Sequence, residues 1–233
     1  MLKEVIILAG GLGTRLSETV PGIQKCMAPV NGRPFLDYII RYLQRHHLKH
    51  FIFSLGYRHE NINEFITRHF AGLNCSYSIE DSPLGTGGAI QKALSFAKDE
   101  NVLILNGDTF FNVDLTALLH LHDMKKADCT IALKPMKNFD RYGCVDLSDE
   151  NAVLAFREKQ TYTEGLINGG IYIVNRTSIL KEQLPEKFSF EKDYLEKFVV
   201  QRKIYGQVHD EYFIDIGIPE DYFRAQEELK QFI

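Results

Sequence analysis

No run in this chain approaches the ~18 consecutive apolar residues of a membrane-spanning helix, so a membrane protein of that kind is excluded from the reading. Positive charge is not in excess. Lys and Arg number 27 against 31 Asp and Glu, a formal net charge of −4, and this argues against non-specific nucleic-acid binding. Cysteine is sparse: Cys26, Cys75, Cys129 and Cys144 are widely spaced and match neither a zinc pattern nor CxxC, so they read as free thiols. No repeat, low-complexity segment or linker interrupts the chain. Met1 leads directly into an apolar segment, which leaves no signal peptide and predicts a soluble, cytoplasmic protein.

Two further absences narrow the glycine-rich start of the chain, Leu8-Ala9-Gly10-Gly11-Leu12-Gly13-Thr14-Arg15-Leu16. No lysine follows Gly13, so the segment is not a Walker A loop. Leu16 stands where a dinucleotide fingerprint beginning at Gly11 needs its third glycine. The next apolar run, Phe51–Leu55, ends in Gly56-Tyr57-Arg58 rather than in a ribose-binding acid. What is present is an apolar strand, then glycines whose backbone N–H groups can approach a ligand, then an arginine suited to an anion. The segment reads as a phosphate site.

At 233 residues, with 45% hydrophobic and 12% aromatic content, the chain fits one α/β domain with a sizeable core. Apolar segments alternate with amphipathic ones through its first half. Strands are expected at 5–9, 51–55, 75–79, 102–105 and 129–134. Helices are expected at 35–46, 60–69, 87–97 and 115–123. Beyond Pro135 strands at 142–147, 153–156 and 166–174 follow without long helices between them. Short helices at 177–181 and 190–198, strands at 204–208 and 212–214, and a final helix from Pro219 complete the chain. The pattern predicts a Rossmann-like, mixed but mostly parallel sheet flanked by helices. Residues 1–135 and residues 136–233 form its two halves, the first carrying the glycine-rich phosphate site.

Several polar groups sit where such sheets bind ligands. Lys25 alone reads as a surface lysine, but downstream of the glycine loop, in a segment stiffened by Pro21 and Pro29, it can fold back over a phosphate. Glu80-Asp81-Ser82-Pro83-Leu84-Gly85-Thr86-Gly87-Gly88 lies between a strand end and a helix start, and its glycines would let a flat ring or ribose lie against backbone. Glu80 fits equally an exposed loop acid or an acceptor for the paired N1–H and 2-amino donors of guanine; the single N–H of uracil or thymine, flanked by carbonyls, would be repelled. Asp108 and Asp215 each end a strand, as turn-forming acids commonly do. Two of them in a chain with a phosphate loop suit Mg²⁺, which takes one or two carboxylates plus substrate phosphates. Glu158, Lys159 and Asn168 could bind sugar hydroxyls and a phosphate, although a surface ion pair is the plainer account of Glu158 and Lys159. His120-x-His122 is no metal site, because residues two apart on a helix do not share a face.

Taken together, the glycine loop through Leu16, Gln24-Lys25-Cys26-Met27-Ala28-Pro29-Val30, Pro83-Leu84-Gly85-Thr86-Gly87-Gly88, Asn106-Gly107-Asp108, Glu158-Lys159, Asn168-Gly169-Gly170 and Asp215-Ile216-Gly217-Ile218-Pro219-Glu220-Asp221-Tyr222 resemble the sugar-1-phosphate nucleotidyltransferase family. The matches run in family order over nearly the whole chain; Gln24 replaces the family's proline. The resemblance implies that a sugar 1-phosphate attacks the α-phosphorus of a nucleoside triphosphate and expels pyrophosphate. It assigns Arg15 and Lys25 catalytic roles, and Leu8, Ala9, Gly10, Gly11, Gly13, Thr14, Glu80, Pro83, Leu84, Gly85, Thr86 and Gly107 to the nucleotide. Gly143, Glu158, Lys159, Asn168 and Gly169 would hold the sugar phosphate, and Asp108 and Asp215 would hold Mg²⁺. Glu80 and the short chain are similar to the guanylyltransferases of the family, among them bacterial enzymes that take D-glycero-α-D-manno-heptose 1-phosphate and supply GDP-heptose for surface polysaccharide. The implied partners are GTP and a sugar 1-phosphate, with no nucleic acid and no membrane; the apolar C-terminal half could support a homodimer. A uridylyl- or thymidylyltransferase, a mannose 1-phosphate guanylyltransferase and a non-catalytic ligand sensor are the alternatives.

Overall fold

The computed structural model describes residues 1–11, 16, 19–56 and 59–232. Seven strands form the central sheet: β1 (Glu4–Leu8), β2 (His50–Leu55), β3 (Cys75–Ile79), β4 (Asn101–Asn106), β5 (Cys129–Phe139), β6 (Tyr162–Asn175) and β7 (Ile204–Val208). Their order across the sheet is β7-β5-β6-β4-β1-β2-β3. Every neighbouring pair is parallel except the two made by β6, which runs antiparallel to β4 and β5. The mixed, mostly parallel sheet expected from the sequence is therefore the sheet observed.

Both faces of that sheet are covered, as parallel strands require. In β1, Val5 and Ile7 enter one apolar cluster while Ile6 enters the other, the period-two alternation of a strand. Helices α1 (Phe35–Arg45) and α2 (His59–His69) cover the first face. Leu36, Ile39, Ile40 and Leu43 of α1 are all buried there, and each such side chain contributes about 1.5–3 kcal/mol. The second face takes α3 (Gly85–Leu94) and a π-helical segment, Phe190–Glu196. Helix α4 (Leu115–Lys125) starts where the Asp114 carboxylate accepts from the N–H groups of Thr116 and Ala117, and stops at Lys126 in the left-handed region. A short helix α5 (Arg176–Leu180) and the C-terminal α6 (Pro219–Glu228) complete the set; α6 opens on Pro219 with Glu220 and Asp221 in its first turn, as its sequence requires.

Topology places the cleft. From β1 the chain steps outward through β2 and β3, then returns through α3 so that β4 lies on the other side of β1. The C-terminal ends of β1 and β4 are thus the point where successive connections diverge, and ligands of open α/β sheets bind there. Two features escaped the sequence reading. Strands β5 and β6 extend well past the sheet as a paired arm, Tyr162 opposite Phe139. Thr109–Phe111 pairs antiparallel with Phe213–Asp215, a contact too short and too distant in sequence to leave a periodic signal. Among the described residues no helix is long and apolar enough to cross a membrane. All four cysteines are free, and Cys26, Cys129 and Cys144 are buried.

His122 fulfils the non-metal expectation by joining the core. It is 2% exposed, its Nδ1 lies 2.9 Å from Thr130 Oγ1 and its Nε2 3.3 Å from Asn101 Oδ1. Burial lowers its pKa to about 4. The sign follows: the unfolded chain takes up the proton first as pH falls below about 6.5, so stability present above that pH is lost on the way down to about 4. Urea denaturation across that range is expected to show a loss of about 3 kcal/mol that a His122→Gln variant does not show.

Candidate active site

The tips of β1 and β4 are joined backbone to backbone. Gly107 N–H donates to Leu8 O at 2.9 Å, and a Cβ at Gly107 would stand 2.8 Å from that oxygen. Only glycine permits this approach, and it sets Asp108 at the mouth of the crevice. Ala9 N–H donates to Ser54 O, which carries the glycine loop over the end of β2. Gly10 then lies against Gly56 and Glu80: its Cβ would meet Gly56 N at 3.1 Å and Glu80 Oε1 at 3.3 Å. Gly11 differs, because no described atom would come within 4 Å of its Cβ. Gly13, Thr14 and Arg15 lie outside the described residues.

Asp108 and Asp215 arrive from opposite ends of the chain. The short pairing of Thr109 with Asp215, and the bond from Ile216 N–H to Asp108 O at 3.0 Å, hold the two backbones side by side. Asp215 Oδ1 accepts from Gly217 N–H at 2.7 Å, and Oδ2 accepts from the Tyr142 hydroxyl at 3.2 Å. Burial, then the neighbouring Asp108 charge, pushes the Asp215 carboxyl above its ordinary range, against the lowering pull of Gly217 N–H, Lys25 and Tyr142. Lys25 stands over the pair, its Nζ 3.0 Å from Asp108 Oδ2. The 3₁₀ turn Lys25–Met27 that presents it is tied to the C-terminal helix just beyond: Tyr222 Oη donates to Pro29 O at 2.6 Å, Gln226 Nε2 donates to the same oxygen, and Asn31 N–H donates to Gln226 Oε1. Cys26 beside it is buried, and burial followed by the Asp108 charge pushes its thiol up to about 12, so it stays protonated.

This carboxylate pair fits a hard divalent cation. Two acids held together against their own repulsion, one of them partly desolvated, are stabilised by positive charge between them. Among the described residues no group of three or more His, Cys, Asp or Glu side chains converges, so the donor set resembles a cation shared with phosphate oxygens rather than a closed protein cage.

Across from Gly10, Glu80 is half-buried, Oε2 accepting from Leu84 N–H at 2.8 Å while Oε1 faces Gly10. Pro83, Gly85 and Thr86 are exposed along the same edge, and Leu84 is turned into the core. The glycines that follow have a use the sequence reading lacked. Gly85 is at φ +72°, and its Cβ would stand 2.5 Å from Phe188 O; those of Gly87 and Gly88 would overlap the Phe188 ring and Glu186 O. Gly87 and Gly88 are buried, so their missing side chains admit residues 186–188.

On the other side of β4, β6 carries an irregularity between Asn168 and Tyr172. Gly170 there is at φ +71°, against Asn106, and Gly169 lies against Phe111. The bulge delivers Asn168 to the crevice beside the end of β4. Gly143 lies so close to Arg157 O that a Cβ would overlap it, and Cys144 bridges Ile167 while accepting from Arg157 N–H. Gly143, Glu158 and Asn168 are thereby neighbours through their backbones. Glu158 and Lys159 are exposed. Sequence reasoning gave no role to Tyr142, although it directly precedes Gly143, to Tyr222, quoted only as the end of a matched segment, or to Gln226; the contacts of Tyr222 and Gln226 with Pro29 lie 193 and 197 residues away along the chain.

The crevice has counterparts among known proteins. A D-glycero-alpha-D-manno-heptose 1-phosphate guanylyltransferase from Aneurinibacillus thermoaerophilus is 51% identical over 230 residues, 99% of this chain and 100% of that protein. A protein of the same name from Campylobacter jejuni subsp. jejuni serotype O:2 is 44% identical, covering 94% of this chain and 97% of its own. The crystal structure of HddC from Yersinia pseudotuberculosis complexed with GMP-PN matches at a TM-score of 0.88 and 35% identity, over 98% of this chain and 100% of that one. The nucleotidyl transferase family model matches residues 4–231, and the chain belongs to that family.

Proposed function

We propose that this protein joins GTP and D-glycero-α-D-manno-heptose 1-phosphate to give a GDP-heptose and pyrophosphate. The relatives at 51% and 44% identity carry that activity in their names and align over nearly their whole length. The observation that carries the chemistry is the convergence of Lys25, Asp108 and Asp215 at the C-terminal ends of β1 and β4. A phosphate oxygen of the sugar 1-phosphate attacks the α-phosphorus, the bond to the β-phosphate breaks and pyrophosphate leaves. That attacking oxygen is already ionised, so no general base is needed, and positioning and charge stabilisation carry the rate.

The nucleotide lies along the first half of the chain, its phosphates over Leu8–Gly11 and Gly107 and its base toward Glu80. Glu80 Oε1 is the acceptor left for the paired donors of guanine, since Oε2 holds Leu84 N–H. Lys25, with Arg15, stabilises charge on the triphosphate. Asp108 and Asp215 would hold Mg²⁺, which would supply positive charge to the phosphates. Asn168, Glu158 and the Gly143 backbone take the sugar, and Lys159 its phosphate.

Pyrophosphate release with each of the four nucleoside triphosphates and a panel of sugar 1-phosphates tests this reading. Turnover with GTP and the heptose 1-phosphate is expected; turnover with UTP or dTTP but not GTP overturns the guanine assignment. Glu80→Gln keeps a carbonyl for Leu84 N–H and removes the charge. It is expected to weaken GTP use by roughly 1–3 kcal/mol in kcat/KM, whereas equal loss with every nucleotide would assign Glu80 to the loop alone. Lys25→Met removes the cation facing Asp108 and is expected to lower kcat by about 10²-fold with an unchanged circular dichroism spectrum.

A further inference from the structure

Two hydrogen-bond chains from opposite sides of the crevice end on one carboxylate that the reaction above does not use. Glu191, half-buried at the start of the π-helical segment, receives the Thr86 hydroxyl on Oε2 at 2.9 Å and the Ser189 hydroxyl on the same oxygen at 3.2 Å. Thr86 Oγ1 in turn accepts from Phe190 N–H at 2.9 Å, which locks the first turn of α3 to this segment. From the other side, Asn168 Nδ2 donates to Tyr172 Oη at 2.8 Å, and the Tyr172 hydroxyl donates to Glu191 Oε1 at 3.5 Å.

The direction of these bonds matters. An ionised carboxylate only accepts, so it draws the Tyr172 proton toward itself and leaves the phenol lone pair facing Asn168. Tyr172 is 1% exposed, so its hydroxyl has no water to turn to. Asn168 must therefore present its amino group to Tyr172, while its Oδ1 accepts from Gly170 N–H at 3.0 Å. One amide orientation satisfies both contacts. The second N–H and the second oxygen lone pair of Asn168 are left toward the crevice in a defined arrangement. Helices with the wider π turn recur at functional sites, and this one brings Glu191 to both chains at once.

We propose that Glu191 is a positioning residue for sugar recognition, orienting Asn168 through the buried Tyr172 hydroxyl and tying that orientation to the α3 side of the crevice through Thr86. This rests on the reading of Asn168 as a sugar ligand. Glu191 acts without touching the reacting atoms, and its effect belongs in the affinity and selectivity for the sugar 1-phosphate.

Calorimetric binding of D-glycero-α-D-manno-heptose 1-phosphate and of mannose 1-phosphate, alongside steady-state kinetics, tests this on the full chain. Tyr172→Phe and Glu191→Leu are each expected to weaken heptose 1-phosphate binding about tenfold and to narrow its preference over mannose 1-phosphate. Tyr172→Phe leaves the Thr86 chain intact and should keep the KM for GTP within about twofold. Glu191→Gln retains an acceptor oxygen and should recover most of the lost affinity. Folded Tyr172→Phe and Glu191→Leu proteins with wild-type affinity and wild-type preference would overturn the proposal, whatever happened to their melting temperatures. A wild-type protein that prefers another sugar 1-phosphate would overturn the heptose assignment, and the same variants compared on that sugar would still decide the role of Glu191. A wild-type protein that binds no sugar 1-phosphate would end both readings.

Discussion

Two carboxylates of like charge, Asp108 and Asp215, are held side by side at the mouth of the sheet, and much of the surrounding architecture exists to keep them there. Their repulsion, added to the burial of Asp215, raises the Asp215 carboxyl. An arrangement this unfavourable persists only where backbone over-determines it. The Thr109–Phe111 and Phe213–Asp215 pairing, the Ile216–Asp108 bond and the Gly107–Leu8 contact supply that rigidity without using either carboxylate as a strut. Lys25 offsets part of the charge, and its own loop is anchored by Tyr222 and Gln226 from the last helix. The C-terminus of the chain thus positions a group near its beginning.

Charge compensation also explains why the second half of the chain is built into the same sheet. Asp215 is steadied by Tyr142, and the neighbouring Arg141 pairs with Asp221 at the start of α6 while its guanidinium lies over the Tyr142 ring. Asp221 is also held by Arg224, so a buried acid is met by two guanidinium groups. Such outer partners orient a carboxylate and tune its basicity as directly as its own backbone does. Residues from the first and second halves of the chain therefore meet at the carboxylate pair.

The sheet and its helices were legible in the sequence because their signal is local. A run such as Val102–Leu105, or the one-sided apolar face of α1, states its own conformation, and Gly-rich or acidic strand ends mark where ligands approach. Asp108, two residues past the end of β4, shares that legibility. What was hidden is what depends on distant pairing: the three-residue strand at Thr109, the arm formed by β5 and β6, and the packing use of Gly87 and Gly88 against Glu186 and Phe188. A glycine in a loop states only that a side chain is excluded. Whether ligand or chain excludes it is a tertiary fact, and at Gly87 it is the chain, through the Phe188 ring.

That distinction bears on how selectivity is divided within the crevice. Positions read by backbone, such as Gly10, Gly107 and Gly143, are fixed by contacts with other backbone and leave little freedom to vary. Under the proposed function Gly10 and Gly107 suit the phosphates of the nucleotide and Gly143 the sugar. Side chains on bulges and loops, Glu80 and Asn168 among them, are held by one or two hydrogen bonds and can be re-aimed by a change in a neighbour. Under the proposed function, base and sugar identity fall to those residues and to the groups that orient them. Glu191 stands at a junction: its carboxylate accepts from the Thr86 hydroxyl and reaches Asn168 through Tyr172. If Glu191 positions Asn168, a substitution at that junction changes which sugar is accepted before it changes whether nucleotidyl transfer occurs.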